Sequence, residues 1–213
     1  MIRRVAALVL SLLAGCGGGT EPPKPSGWQG ATDGLKGASS GTEGEKLFPI
    51  VDGHIYHYRT ESFGEGSASE TGVLMIKMHR SSQTAGELRR PAGPQRFEFT
   101  PAGITTTTKG GAPAFLLKLP ISPDQRWLGP HGGQTHVTGT GVTATTQAGT
   151  FQGCLTTVEE RGGDAPLKVT TTLCPDVGIV SLEVQSGGAV ERAELVYFGP
   201  PVDLGPEGLK RVD

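Results

Sequence analysis

The sequence lacks the basic surface that a nucleic-acid partner would require. Its 213 residues include 19 Lys and Arg against 21 Asp and Glu, a net charge of −2. No basic run is longer than the Arg89–Arg90 pair once the N-terminal segment is set aside. A protein that binds nucleic acid without sequence preference needs a basic face that displaces counterions. The charge balance therefore argues against nucleic acid as a partner.

Motifs of catalysis are also missing. The chain contains no Gly-x-Ser-x-Gly elbow, no His-Glu-x-x-His helix and no Ser-x-x-Lys motif. His54 and His57 are three residues apart in a predicted strand, so their side chains project from opposite faces and cannot easily share a metal ion. We therefore expect no enzymatic activity, no cofactor and no metal.

One group of residues could overturn that expectation. His131 and His136 flank a Gly-Gly loop and are the better metal candidates, with Asp124 or His79 as a third ligand. Our interpretation is that they are solvated loop histidines. A cluster of at least three of these four residues would be needed to support an enzymatic activity.

The N-terminal apolar run is short. Val5 to Ala14 gives about ten apolar or small residues after Arg3 and Arg4, whereas a membrane-spanning helix takes about 20. It leads into Leu13-Ala14-Gly15-Cys16, which resembles the lipobox of bacterial lipoproteins at all four positions. The resemblance implies that residues 1–15 are a signal peptide and that Cys16 is lipidated, which ties the protein to a membrane. The alternative is an ordinary secretory signal with Cys16 as a bystander.

The segment after Cys16 has the composition of a tether. Residues 16–46 are rich in Gly, Pro, Ser, Thr and charge, with Trp28 and Leu35 as the only large apolar side chains before the end of the segment. We expect it to be disordered and to span about 30 Å. Gly17 is not the aspartate that retains lipoproteins in the inner membrane of enteric bacteria. In a Gram-negative host this favours the outer membrane, at its periplasmic face or at the cell surface.

The remainder, residues 47–213, predicts a single all-β domain with little helix. Alternating apolar and polar residues recur between Gly and Pro turns, and helical spacing is not sustained. About ten strands should form an antiparallel, strongly curved sheet, as a half-barrel, a barrel or a sandwich. The candidate strands are His54–Thr60, Gly72–His79, Gln95–Thr100, Gly103–Thr108, Ala114–Leu119, Thr135–Thr146, Thr150–Glu160, Leu167–Cys174, Gly178–Gln185 and Val190–Phe198.

Two hairpins can be aligned by side-chain pairing. A turn centred on Asp164 places Leu155 against Leu173, Thr157 against Thr171, and Glu160 against Lys168. A turn at Gly187-Gly188 places Val180 against Leu195, Leu182 against Ala193, and Glu183 against Arg192. A shift of one residue would scramble both sets of pairs.

The first alignment also places Cys154 against Cys174. Opposed cysteines in an antiparallel pair lie within disulfide distance, and an exported chain favours the bond. We predict that these two cysteines form a structural disulfide, and the alternative is two free thiols that happen to be opposed. Neither cysteine lies in a Cys-x-x-Cys pair or beside a histidine, which argues against a redox or metal role.

Several segments resemble a known family. The blocks LFPIVDGHIYHYRT, LLKLPISPDQRWLG, TTQAGTFQGCLTTVEE and TLCPDVGIVSLEV, which begin at Leu47, Leu116, Thr145 and Thr172, are similar to those of TapB-like bacterial exported β-domains, whose function is unknown. The sequence departs from that pattern at Asp124-Gln125 and at Cys174. The resemblance implies an envelope β-protein and identifies no catalytic residue.

Two functions follow as hypotheses. The one we favour is an envelope lipoprotein whose non-catalytic β-domain binds or scaffolds another envelope component through its surface or edge strands. The alternative is a carrier that holds a lipid or other apolar ligand in the concavity of the sheet. An apolar cavity would favour the carrier, whereas a filled core with an exposed patch would favour the binding domain.

Overall fold

The protein folds around one large antiparallel sheet. A computed structural model describes residues 41–64, 68–123, 125–205 and 208–211. Twelve strands form the sheet in the order β6-β5-β4-β3-β2-β1-β12-β11-β10-β9-β8-β7, and β13 and β14 pair separately. The elements are α1 Glu43–Leu47, β1 Ile55–Phe63, β2 Glu70–Arg80, β3 Ala85–Arg90, β4 Gly93–Thr100, β5 Gly103–Thr107, β6 Pro113–Lys118, β7 Arg126–Leu128, β8 Gln134–Thr146, β9 Gly149–Arg161, β10 Leu167–Cys174, β11 Gly178–Ser186, β12 Ala189–Gly199, β13 Val202–Gly205 and β14 Gly208–Arg211.

The sheet curves into a nearly closed barrel, which confirms the predicted fold class. Its two outer strands, β6 and β7, are consecutive in the chain and come together at the seam. There the indole Nε1 of Trp127 in β7 donates a hydrogen bond of 3.1 Å to the carbonyl oxygen of Phe115 in β6. Among the described strands, no backbone ladder joins β6 to β7. The Trp127 side chain therefore bridges these two edges.

All ten predicted strands are present, with ends within a few residues of those expected. The sheet also contains two strands that the sequence did not reveal, β3 and β7. In β3, Gly86 and Leu88 alternate inward between charged residues, which weakens the apolar signal. With three residues, β7 is too short to show any alternation.

Both hairpin alignments are found in the sheet. Strands β9 and β10 pair Leu155 with Leu173, Thr157 with Thr171, and Glu160 with Lys168. Strands β11 and β12 pair Leu182 with Ala193 and Glu183 with Arg192. That second ladder begins at Ser181 and Glu194, so the predicted pair of Val180 and Leu195 lies one step beyond it.

Large apolar side chains fill the space that the sheet encloses. Those with at most 2% of their surface exposed include Tyr56, Phe48, Ile104, Leu117, Leu173, Leu195, Val169 and Val180. The hydroxyl of Tyr56 donates to the carbonyl oxygen of Val177 (2.7 Å), and that of Tyr58 donates to Ile179 (2.8 Å). These bonds satisfy the two phenols within an otherwise apolar interior.

The folded part begins before the predicted end of the tether. Thr42 caps helix α1 through the backbone N–H of Glu45, and the Glu45 side chain accepts from the backbone N–H of Thr42. Leu47, at the end of the helix, is buried. Residues 42–46, which we expected in the tether, therefore belong to the domain, because the capped turn carries Leu47 into the core.

The predicted signal peptide, Cys16 and the tether up to residue 40 lie outside the described residues. Within the part of the chain that the structure covers, no helix is long and apolar enough to span a membrane.

Candidate functional site

Strand β2 extends beyond its neighbour β3. It pairs with β1 from Glu70 to Lys77, whereas its ladder with β3 covers only Lys77 to Arg80. We call the side of Glu70–Ile76 that faces away from β1 the open edge. Along it, Val73 and Met75 are 68% and 53% exposed, although both are large apolar side chains. The open edge and these two residues form the first candidate binding surface.

A buried carboxylate organises a loop at the other side of the sheet. Glu159 in β9 has a side chain that is only 4% exposed. Its Oε1 accepts hydrogen bonds from the backbone N–H groups of His131 (2.9 Å) and Gly133 (2.8 Å), and its Oε2 lies 2.9 Å from Nδ1 of His131. Arg161 adds a hydrogen bond to the carbonyl oxygen of His131. The loop is thereby fastened to β9.

Two glycines make room for that carboxylate. A Cβ atom on Gly129 would lie 2.3 Å from the carboxyl carbon of Glu159, and one on Gly133 would lie 2.7 Å from the carbonyl oxygen of Glu160. Glu159 was not among the candidate residues identified from the sequence. The signal available in the sequence was the Gly-rich loop at residues 129–133. If such a loop packs closely against a strand, its backbone N–H groups need a hydrogen-bond acceptor.

The metal candidates do not assemble. His131 pairs with Glu159, and His79 pairs through Nδ1 with Asp52 at 2.9 Å. His136 lies in β8 opposite Arg126, and its Nδ1 is buried without a hydrogen-bond partner among the described residues. Asp124 lies outside those residues. Among the residues described, no three His, Cys, Asp or Glu side chains are grouped to hold a metal ion.

The carboxyl of Asp52 is tuned by its neighbours. It accepts a hydrogen bond from the backbone N–H of Arg80 (3.0 Å) as well as contacting His79. The backbone bond first, and then the His79 contact, hold the pKa of Asp52 below its usual value. The carboxylate therefore anchors the turn before β1 to the end of β2.

His54 and His57 lie at the start of β1. Burial lowers the pKa of His54, which favours its neutral form. Nδ1 of His54 and Nε2 of His57 are buried without hydrogen-bond partners in the described structure. Within the described residues, neither histidine belongs to a group of three His, Cys, Asp or Glu side chains that could hold a metal ion.

In the structure a disulfide joins Cys154 and Cys174, whose Cα atoms are 4.2 Å apart. Both residues are completely buried. The bond connects the β8–β9 hairpin to the end of β10, at the level where β8 carries three register shifts. It thus fixes the part of the sheet where the ladder is most irregular.

Beside the disulfide lies a cavity of about 590 Å³ that opens to solvent. Its lining includes the polar and charged residues Thr42, Glu43 and Lys46 of the α1 turn. It also includes apolar Leu47 and Ile121, together with residues of strands β8 and β9. Its volume is that of a small-molecule site, although its lining is mixed.

No protein-family model matches this chain, and no curated protein matches it. The resemblance to TapB-like proteins therefore stays a prediction. Two solved structures are similar, each at 11% sequence identity and each covering 72% of this chain and 98% of the other. One is described provisionally as a lipoprotein of Parabacteroides distasonis, with a TM-score of 0.46. The other is described provisionally as an exported protein with a YmcC-like fold from Bacteroides fragilis, with a TM-score of 0.44.

Proposed function

We propose that this chain is a bacterial envelope lipoprotein, anchored through Cys16, whose β-domain binds another envelope component and catalyses no reaction. The sequence around Cys16 supports the anchor. Where the host is Gram-negative, the residue after Cys16 favours the outer membrane, at its periplasmic face or at the cell surface.

One observation carries the binding role. Large apolar side chains pack inside the barrel, while Val73 and Met75 lie exposed beside the open edge of β2. Exposed apolar side chains next to unpaired backbone groups are suited to β-strand addition by a partner. Because these side chains fill the interior of the barrel, little space is left there for a ligand. This combination favours a binding domain over a carrier.

The anchor is tested by replacing Cys16 with Ser in the full chain. Cells fed a palmitate analogue should label the wild-type protein, and the label should resist extraction with solvent. Cys16→Ser should remain unlabelled and leave the membrane fraction. Cys154→Ala provides a matched cysteine control, which should keep the label. Equal labelling of Cys16→Ser and wild type would contradict the proposal.

Binding is tested by photo-crosslinking in intact cells. A photoreactive amino acid at Met75 should yield a discrete cross-linked product, because Met75 is exposed on the candidate surface. The same probe at Arg96, a residue that is 88% exposed on β4, is the control. Identical products at both positions, or none at either, would contradict a binding role for this surface.

The carrier remains a second candidate because of the cavity beside α1, whose volume would hold a small ligand. For this test the full chain is purified from membranes in mild detergent and then denatured. Mass spectrometry of the solvent extract separates released molecules from the covalent lipid. A stoichiometric apolar compound would favour the carrier. An extract without one would favour the binding domain.

A further inference from the structure

The open edge of β2 presents unpaired backbone groups in a defined pattern. The N–H of Met78 donates to His54 and its carbonyl oxygen accepts from Gly53, so both groups of Met78 face the β1 side. Because these directions alternate along a strand, the N–H and carbonyl groups of Thr71 and Val73 face away from β1. Those of Met75 do so as well. Within the described residues, no β-ladder covers them on that side.

Between Glu70 and Lys77, the edge carries none of the usual protection against pairing. The run Thr-Gly-Val-Leu-Met-Ile, residues 71–76, contains no charged residue and no proline. Natural sheets guard exposed edges with lysine, proline, bulges or very short strands, because an unguarded edge pairs with another strand. Val73 and Met75 also place apolar surface on the outer face beside it. Residues 71–76 are therefore suited to backbone pairing with a further strand.

Charge at the two ends of the open edge indicates which strand it accepts. Glu70 lies at one end and is exposed. Arg90 ends β3 at the other, and its Nε is buried without a hydrogen-bond partner in the described structure. Since Arg89 is opposite Lys77, Arg90 lies on the other face of the sheet, which is the face of Glu70. If a second copy of β2 pairs antiparallel with the open edge, the end of each copy that carries Glu70 lies beside the end of the other copy that carries Arg90.

We propose that β2 pairs with β2 of a second copy of this chain, antiparallel and about a two-fold axis near Gly72. Val73 of each copy then lies opposite Thr71 of the other, and Glu70 of each approaches Arg90 of the other. Neither Glu70 nor Lys77 faces its own symmetry mate in this arrangement. The interface is isologous, as a two-fold dimer requires. This inference rests on the binding role proposed above and names the partner at the open edge as a second copy of this chain; it does not depend on the lipid anchor.

Cross-linking tests the pairing in the full chain. Val73→Cys, expressed to the envelope and treated with a short bifunctional maleimide, should give a product of twice the mass. Arg96→Cys is the matched control, because Arg96 is exposed on β4 away from the open edge, and it should remain monomeric. A Val73→Cys protein that stays monomeric, or that links only to a different protein, would overturn the proposal.

A backbone substitution separates edge pairing from general surface effects. Val73→Pro removes an N–H that faces away from β1, so the β1–β2 ladder keeps its hydrogen bonds. It should weaken dimerisation by about tenfold or more in sedimentation of the purified full chain. Val73→Thr keeps the N–H and a β-branched side chain, and should dimerise as wild type does. Unaltered dimerisation of a folded Val73→Pro protein would refute the edge pairing.

Charge exchange tests the orientation of the two strands. Glu70→Lys and Arg90→Glu should each weaken the dimer, because each leaves two like charges close together. The double variant should restore it, since the opposite charges are exchanged and complementarity returns. Rescue would not occur if each residue only stabilised its own monomer. Failure of the double variant to recover, with circular dichroism unchanged, would overturn the antiparallel arrangement.

Discussion

Trp127 and Phe115 join the two edge strands of the barrel through a hydrogen bond of 3.1 Å, from the indole Nε1 to the backbone carbonyl oxygen. Trp127 is also buried, with 4% of its surface exposed. The side chain thus holds the seam by two means, the hydrogen bond and the apolar packing of its ring.

Substitution separates the two contributions. Trp127→Phe retains an aromatic ring and loses the donor, so the free energy of unfolding should fall by about 1 kcal/mol. Trp127→Ala also removes the packing and should cost about 3 to 5 kcal/mol. Urea unfolding followed by far-ultraviolet circular dichroism measures both. Equal losses for the two variants would show that the hydrogen bond, and not the ring, holds the seam.

The hairpins β9–β10 and β11–β12 could be predicted because each is local and carries paired signals along its length. Glu160 opposite Lys168, and Glu183 opposite Arg192, place opposite charges together in the same alignments that pair apolar residues. A short turn joins each pair of strands, so few alternative alignments exist. The sequence therefore contained nearly all the information that these hairpins need.

The candidate sites could not be predicted in the same way. Whether residues 70–76 have a free side depends on where β3 ends beside β2, and β3 itself was missed. The burial of Glu159 depends on a loop 26 to 28 residues earlier in the chain folding back over it. Neighbouring Glu160 has the same side chain and is exposed. Both features arise from tertiary contacts, which local alternation does not encode.

The stability of the fold should decrease at high pH because of Tyr56 and Tyr58. Burial raises the pKa of both phenols, and the charge of Tyr56 raises that of Tyr58 further. A pKa raised by folding means that the stabilisation is complete below the unfolded value of about 10. It is lost as the pH rises above that value, by up to about 1.4 kcal/mol per pH unit for each tyrosine.

Tyr56→Phe combined with Tyr58→Phe provides the test. The double variant should lose about 1 kcal/mol per hydrogen bond at pH 8, because the carbonyl groups of Val177 and Ile179 lose their donors. Its stability should nevertheless depend less on pH between about 10 and 11 than that of the wild type. Urea unfolding across this range measures both effects. Parallel pH profiles would argue against titration of these phenols as the cause.

Glu159 should determine the stability of the loop at residues 129–133. Glu159→Ala leaves the backbone N–H groups of His131 and Gly133 without their acceptor, at a cost of about 1.5 to 3 kcal/mol for each hydrogen bond to a charged group. Amide hydrogen exchange at these two residues should become faster. Glu160→Ala, one residue along and exposed, should leave exchange in the loop unchanged. Equal acceleration by both variants would contradict the role of Glu159.

The disulfide should stabilise the domain by restricting its unfolded chain. Cys154 and Cys174 are 20 residues apart, and a loop of about that length corresponds to about 3 kcal/mol. Cys154→Ala combined with Cys174→Ala should lower the free energy of urea unfolding by that amount, plus a smaller loss of packing at two buried positions. Reduced wild-type protein separates these contributions, since it keeps both sulfur atoms and loses only the bond.

The two cysteines are completely buried, so a reductant should reach the bond only when the domain opens. Reduction should therefore be slow without denaturant and should accelerate with urea in parallel with unfolding. Rapid reduction of the folded protein would show that the β8–β9 hairpin opens locally. Equal stability of oxidised and reduced protein would mean that the register shifts of β8 and β9 are held by packing alone, without help from the cross-link.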